Sequence, residues 1–308
     1  MELFLAAVVV AATPILFATL GELLTEKAGN LNLGVEGMMY MGAVVGFLVA
    51  YGTANPFLAV AGAFIAGAAG ALVYAVLTVT LRANQVVTGL TLTIFGTGFA
   101  SFAGKSVSGI PAPKPIRDFF TSVEIPLLSD IPFVGPVLFC QDLYVYMVYF
   151  FTAAIAVYLV KTKAGLNLKA VGENAAAADA SGINVVAYKY AHILLGGGLC
   201  GLGGGYMSLV LIPIWQEGII AGRGWIAVAL VIFASWRPIK AMFGALLFGG
   251  LSILGFRLQS IGIGVSQYLV DIIPYLATIL IVILSTYKNK KEDVAPSDLG
   301  IPYFREER

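Results

Sequence analysis

The sequence predicts an all-α fold: a polytopic transmembrane helical bundle of about nine spans, with its N-terminus outside and its C-terminus in the cytoplasm. Three observations predict it. Of 308 residues, 59% are hydrophobic and 11% charged, with mean hydropathy +0.91, whereas soluble domains carry roughly 25% charged residues. Apolar runs that approach the ~20 residues needed to cross a ~30 Å hydrocarbon core recur along the chain. Thirteen of the eighteen Lys and Arg residues fall on alternate connections, the asymmetry that marks the cytoplasmic side.

The first run, Leu3–Leu24, carries Glu2 as its only early charge. It lacks the basic leader and short apolar core of a secretory signal, so it reads as a retained helix. The others are Gly37–Tyr51, Phe57–Leu81, Val86–Ala103, Leu143–Val160, Tyr190–Leu211, Gly224–Trp236, Ala241–Phe256 and Tyr268–Tyr287. The second and seventh are short enough to be tilted or broken. Only Lys105, Lys114, Arg117, Arg223 and Arg257 fall on the side assigned as external. Two long connections result, an external Pro-rich loop at 104–142 and an internal one at 161–189. The transmembrane domain covers 1–288, and 289–308 form a charged, proline-bearing cytoplasmic tail that the composition predicts to be mobile.

Composition and motifs exclude several chemistries. A net charge of +1 supplies no basic field for nucleic acid. Cys140 and Cys200 make no disulfide or metal framework. Gly104-Lys105-Ser106 lacks the earlier glycine of a phosphate loop, because position 99 is Phe. His192 is the single histidine and is expected at a membrane interface, as are Trp215, Trp225 and Trp236. With no catalytic set visible, the chain reads as a transport component rather than an enzyme, binding no cofactor or metal. Any energy must come from a partner or an ion gradient. Small residues at Gly62, Ala66 and Gly70, and at Gly197, Gly201 and Gly205, permit close helix approach. The run GGGLCGLGGGY at 196–206 is denser than such packing needs, which favours a deformable helix beside a moving path.

The internal loop is the most informative stretch. Asn174 can cap a helix through AAAADAS, and Gly182 can end it in the left-handed conformation. At about 8 residues, or ~12 Å, that helix is too short to span. Val171-Gly172-Glu173-Asn174, then Ala177-Ala178 and Ser181-Gly182-Ile183-Asn184, resemble the cytoplasmic coupling segment of permease subunits of binding-protein-dependent ABC importers. The similar branch serves nucleosides, simple sugars and branched-chain amino acids. Ala28–Gly37 resembles that branch's signature after the first span, and Ala83–Leu90 resembles a stretch of its nucleoside-type members.

The resemblance implies an ATPase-coupling role for Gly172, Glu173, Asn174, Ala177, Ala178, Asp179 and Gly182. It also implies four associations: an ABC ATPase subunit that uses the ATP, a second and paralogous permease, an extracytoplasmic solute-binding lipoprotein, and the lipid of a bacterial inner membrane. The solute it points to is a nucleoside, with a simple sugar or branched-chain amino acid as the alternative. A secondary transporter and a membrane enzyme are the competing classes. Each charge inside a span costs ~2.5–3.5 kcal/mol and needs a partner or water. Polar residues in or near spans are few, and Asn32, Glu36, Asn84, Gln85, Thr88 and Asp271 are the candidates for the translocation path. For Asp271, local pairing with Arg257 is the equal alternative.

Overall fold

In lipid every backbone N–H and C=O must be satisfied within the protein, so apolar runs become helices. The computed structural model describes residues 2–260 and 294–305, together with Ile272, Ile273, Leu276, Ile279, Leu280 and Ile283. Asp271 and most of the ninth apolar segment lie outside the described residues. The first eight segments are helical. They form α1 (Glu2–Lys27), α2 (Val35–Thr53), α3 (Pro56–Ala75), α4 (Gln85–Gly104), α7 (Leu143–Lys161), α10 (Val185–Tyr206), α11 (Arg223–Phe233) and α12 (Pro238–Ser260). Single π-helical turns, Val76–Thr80 and Met207–Leu211, extend α3 and α10. Among the described residues, six helices are long and apolar enough to cross a membrane, and α11 is a shorter apolar helix.

Side-chain caps fix where several helices begin. Asn55 accepts from Phe57 N and Leu58 N at α3, and Asn84 from Val87 N at α4. Asp142 does the same for Tyr144 N and Val145 N at α7, and Asn184 for Ala187 N at α10. Each oxygen satisfies donors that the first helical turn leaves open.

Helix α10 is the centre of the bundle, with α1, α2 and α3 packed around it. A Cβ on Gly201 would fall 2.2 Å from the Ala63 carbonyl on α3, and one on Gly42 of α2 would fall 2.3 Å from the Gly201 carbonyl. A Cβ on Gly21 of α1 would lie 2.3 Å from the Gly196 carbonyl. Three backbones thus touch one helix from different sides, so seven of its eleven residues at 196–206 are glycine. This corrects the expectation of a deformable helix, because close packing alone accounts for the density.

The 104–142 loop is structured. It holds the short helices α5 (Lys114–Phe119) and α6 (Val134–Leu138) and an antiparallel pair, β1 (Val123–Glu124) with β2 (Cys140–Gln141). That pair is a small departure from the all-α expectation. Trp215 is buried against Gly104, and Trp236 is also buried. Both were expected at an interface and instead fill the interior, whereas Trp225 stays partly exposed. His192 is likewise interior, between the Tyr158 hydroxyl (2.8 Å) and the Tyr188 carbonyl (2.7 Å).

The 161–189 connection forms two helices rather than one, α8 (Lys163–Glu173) and α9 (Ala175–Ala180). Thr162 starts α8 by accepting from Gly165 N, and Leu168 and Val171 bury its inner side. The described part of the tail, residues 294–305, is not free either: it packs against α8 and α9, with Pro296 buried. One end of the bundle gathers Lys27, Arg82, Lys169, Lys189 and Arg237 beside this segment.

Candidate functional site

Two regions carry the predicted site residues. The first is the helix pair α8–α9, which carries the residues expected to couple to an ATPase. Asn174 lies between the helices, and its side chain accepts from Ala177 N at 2.8 Å. Gly182 follows α9 at φ +82° with no atom within 4 Å of where a Cβ would sit, so only backbone geometry requires glycine there. Ala175 and Ala178 are buried with Val171 and Val185. Glu173, Asn174, Ala177, Ala180 and Ser181 are exposed. The two alanines expected to couple, Ala177 and Ala178, therefore face different ways: Ala178 faces the chain's own core with Ala175, and Ala177 faces out. Gly172 is buried where α8 meets the end of α1, and a Cβ there would fall 2.4 Å from the Lys27 carbonyl.

The tail occupies two of the groups for which the resemblance implies a coupling role. Glu173 accepts from the Ser297 hydroxyl at 3.0 Å. Asp179 accepts from the Tyr303 hydroxyl at 2.8 Å and pairs with Arg305 at 3.3 Å. Asp298 accepts from Ala175 N at 2.7 Å and so adds a second cap to α9.

The second region is the non-helical segment 28–34 and its surroundings. Thr93 lies about 12 Å into α4, eight residues from its start, and its hydroxyl donates to the Leu33 carbonyl at 2.9 Å. The segment therefore runs from the end of α1 into the bundle before α2 begins. Irregular backbone at that depth needs internal partners. Gln85 accepts from Leu31 N (2.7 Å), Glu22 accepts from Asn32 N (2.9 Å), and the Tyr74 hydroxyl donates to the Leu31 carbonyl (2.7 Å). The Asn32 side chain accepts from Gly34 N at 2.8 Å. This accounting explains the Ala28–Gly37 run physically. Asn32 and Glu36 are backbone partners, and Gly37 lets α4 approach, a Cβ there falling 2.4 Å from the Leu92 carbonyl.

A matching break precedes α11. Glu36 accepts from Gly222 N (2.9 Å) and Gly224 N (2.7 Å), placing its carboxylate on the N-terminus of that helix. An anion is favoured there by the open N–H groups and by the helix dipole. Glu26, one turn from Glu22 on α1, accepts from the Trp236 indole. Both carboxylates are essentially inaccessible, at 0% and 1% exposure for Glu22 and Glu26. Of the path candidates, Asn32, Glu36 and Gln85 thus converge on two buried breaks. Asn84 and Thr88 sit on the first turn of α4, Thr88 donating to the Asn84 carbonyl. Sequence reasoning missed Glu26, Tyr74 and Trp236. For Glu26 the only signal was a carboxylate spaced four residues after Glu22.

At the opposite end, Asp142 joins the 104–142 loop to α10 by accepting from the Tyr206 hydroxyl at 3.0 Å. Burial pushes its carboxyl above the usual carboxylate range.

The family described as branched-chain amino acid transport system, permease component, matches residues 4–283. The chain is 38% identical to TsgC13 of Haloferax volcanii, whose name provisionally assigns it as a glucose ABC transporter permease, over 97% of both chains. It is 33% identical to the nucleoside ABC transporter permease protein NupC of Lactococcus lactis, over 99% of this chain and 98% of that one. Identity to the guanosine ABC transporter permease protein NupQ of Bacillus subtilis is 32%, over 100% and 98%. No solved structure matches. The full-length match and the bundle of apolar helices lead to one conclusion: this chain belongs to the permease-component family of branched-chain amino acid-type transport systems, as a multi-pass membrane subunit of the ABC transporter class.

Proposed function

We propose that this permease forms half of the path of an importer for a nucleoside, with its N-terminus outside and its C-terminus in the cytoplasm of a bacterial inner membrane. The observation that carries this reading is similarity along essentially the whole chain to permeases named for guanosine and nucleosides. A second, paralogous permease completes the path, and a solute-binding lipoprotein delivers the solute. A separate ATPase hydrolyses the ATP, and this chain binds no nucleotide of its own. The ATPase docks on the outward face of α9, formed by Glu173, Asn174, Ala177, Ala180 and Ser181. Gly172, Ala178, Asp179 and Gly182 shape that face from behind. The end of the bundle rich in Lys and Arg is the cytoplasmic one. The two buried breaks, with Asn32, Glu36 and Gln85, border the solute path, as do Asn84, Thr88 and Asp271.

A second reading, uptake of a simple sugar, is favoured by the 38% identity to TsgC13. One experiment separates the two. The transporter, with its ATPase and binding protein, is reconstituted in vesicles and given radiolabelled guanosine, adenosine, uridine, glucose and ribose. ATP-dependent uptake of the nucleosides alone supports the proposal. ATP-dependent uptake of glucose or ribose without nucleosides transfers the assignment to sugars.

A further inference from the structure

The segment 294–305 touches α8, α9, the turn after α1 and the connection between α3 and α4. Asp298 N donates to the Gly172 carbonyl at 3.0 Å, while its carboxylate caps α9 through Ala175 N. Gly300 N donates to the Gly29 carbonyl, in the turn after α1, at 3.2 Å. Phe304 lies under the Arg82 guanidinium, 4.5 Å from its ring centroid, in the connection between α3 and α4. Tyr303 and Arg305 both hold Asp179 on α9. Tyr303 also packs on the cluster of Val171, Ala175, Ala178 and Val185.

A hydrogen bond to a backbone group fixes position as well as energy, and these bonds tie three separate stretches of chain. Helix α9 has only six residues, too few to be stable alone in water. Its position must come from what holds its two ends. Asp298 holds the first turn, and Tyr303 holds the last through Asp179. We infer that the C-terminal segment is a strap that makes α8, α9, the turn after α1 and the α3–α4 connection move as one body, with Asp298 and Tyr303 as positioning residues for coupling. Without the strap, a push on α9 reaches the bundle only through α8 and the start of α10; with it, the push also reaches the turn after α1 and the α3–α4 connection. The inference rests on the docking role proposed above for α9.

The test uses the complete transporter in vesicles, with radiolabelled guanosine and glucose as probes and wild type defining which is imported. Asp298→Ala, Tyr303→Phe and the double variant are compared with Asp298→Asn, whose amide oxygen can still accept from Ala175 N. Inserted chain, co-purified ATPase, ATP hydrolysis and uptake are all measured. The strap predicts that solute imported per ATP hydrolysed falls about fivefold or more in the double variant, the low end of coupling between sites. Inserted chain and bound ATPase stay at wild-type levels, and Asp298→Asn restores most of the ratio. An unchanged ratio, or a parallel fall in uptake and hydrolysis, overturns the strap. Ala177→Glu on the outward face of α9 is the separating control. If it leaves ATPase binding and uptake intact, the docking role has failed; if it abolishes them while the strap variants keep their ratio, the strap alone has failed.

Discussion

Gly172→Ala tests whether the seat of α8 on α1 sets the coupling helices. An added Cβ would lie 2.4 Å from the Lys27 carbonyl oxygen and 3.3 Å from Pro296 Cβ. Carbon–oxygen contacts are comfortable from ~3.3 Å, so the end of α8 must retreat by roughly 0.9 Å from α1. Pro296 of the tail stands in the way of an easy retreat. Overpacking of this kind costs about 1–3 kcal/mol. Gly182→Ala is the matched comparison: it meets no atom but carries φ +82°, a strain of about 1–2 kcal/mol. The two variants should therefore lower the thermal midpoint of the detergent-solubilised chain by similar amounts. They should differ in uptake per inserted chain, with the larger loss in Gly172→Ala, because only that change displaces α8 and α9 from α1. Equal stability loss with wild-type uptake in Gly172→Ala, or a greater uptake loss in Gly182→Ala, would refute the reasoning.

Three further outcomes are expected. Gly201→Ala should destabilise the chain by about 1–3 kcal/mol or block its insertion, because α10 must part from α3; Gly98→Ala, with nothing within 4 Å, should be neutral, and equal thermal melts would contradict the packing account. Trp236→Phe removes the donor to buried Glu26 and should cost about 1.5–3 kcal/mol, whereas Trp225→Phe should change stability by no more than about 0.5 kcal/mol. Glu36→Ala frees Gly222 N and Gly224 N, so hydrogen exchange over residues 218–226 should accelerate; unchanged exchange would show that Glu36 does not hold the start of α11.

Much of the architecture was legible in the sequence because hydropathy is a long-range average that survives errors of a few residues. Eight apolar segments became helices with nearly the expected bounds, and the Asn174 cap and left-handed Gly182 lie where their chemistry requires. What stayed hidden depends on partners distant in sequence. Trp236 looks like an interface residue until Glu26, 210 positions earlier, is folded against it. The tail looks mobile by composition, yet Asp298, Tyr303 and Arg305 find complementary groups on a helix over a hundred residues away. Helix α8 was hidden because only two large apolar residues, Leu168 and Val171, face inward, while a third, Leu166, is exposed and blurs the pattern. Asn32 and Glu36 were recognisable as special, but not as backbone partners, because segment 28–34 is non-helical and no periodicity reports where such a chain runs.

Site-specific crosslinking at α9 tests the coupling account most directly. In a Cys140→Ala, Cys200→Ala background, single cysteines are placed at positions 175, 177, 178 and 181 and treated with a short thiol-to-amine reagent in the assembled transporter. Ala177→Cys and Ser181→Cys should join the ATPase subunit, because both positions are exposed. Ala175→Cys and Ala178→Cys should not, because both side chains are buried in the chain's own core. Crosslinking from 175 and 178, or from none of the four while the ATPase remains bound, would contradict the docking face and the coupling role built on it.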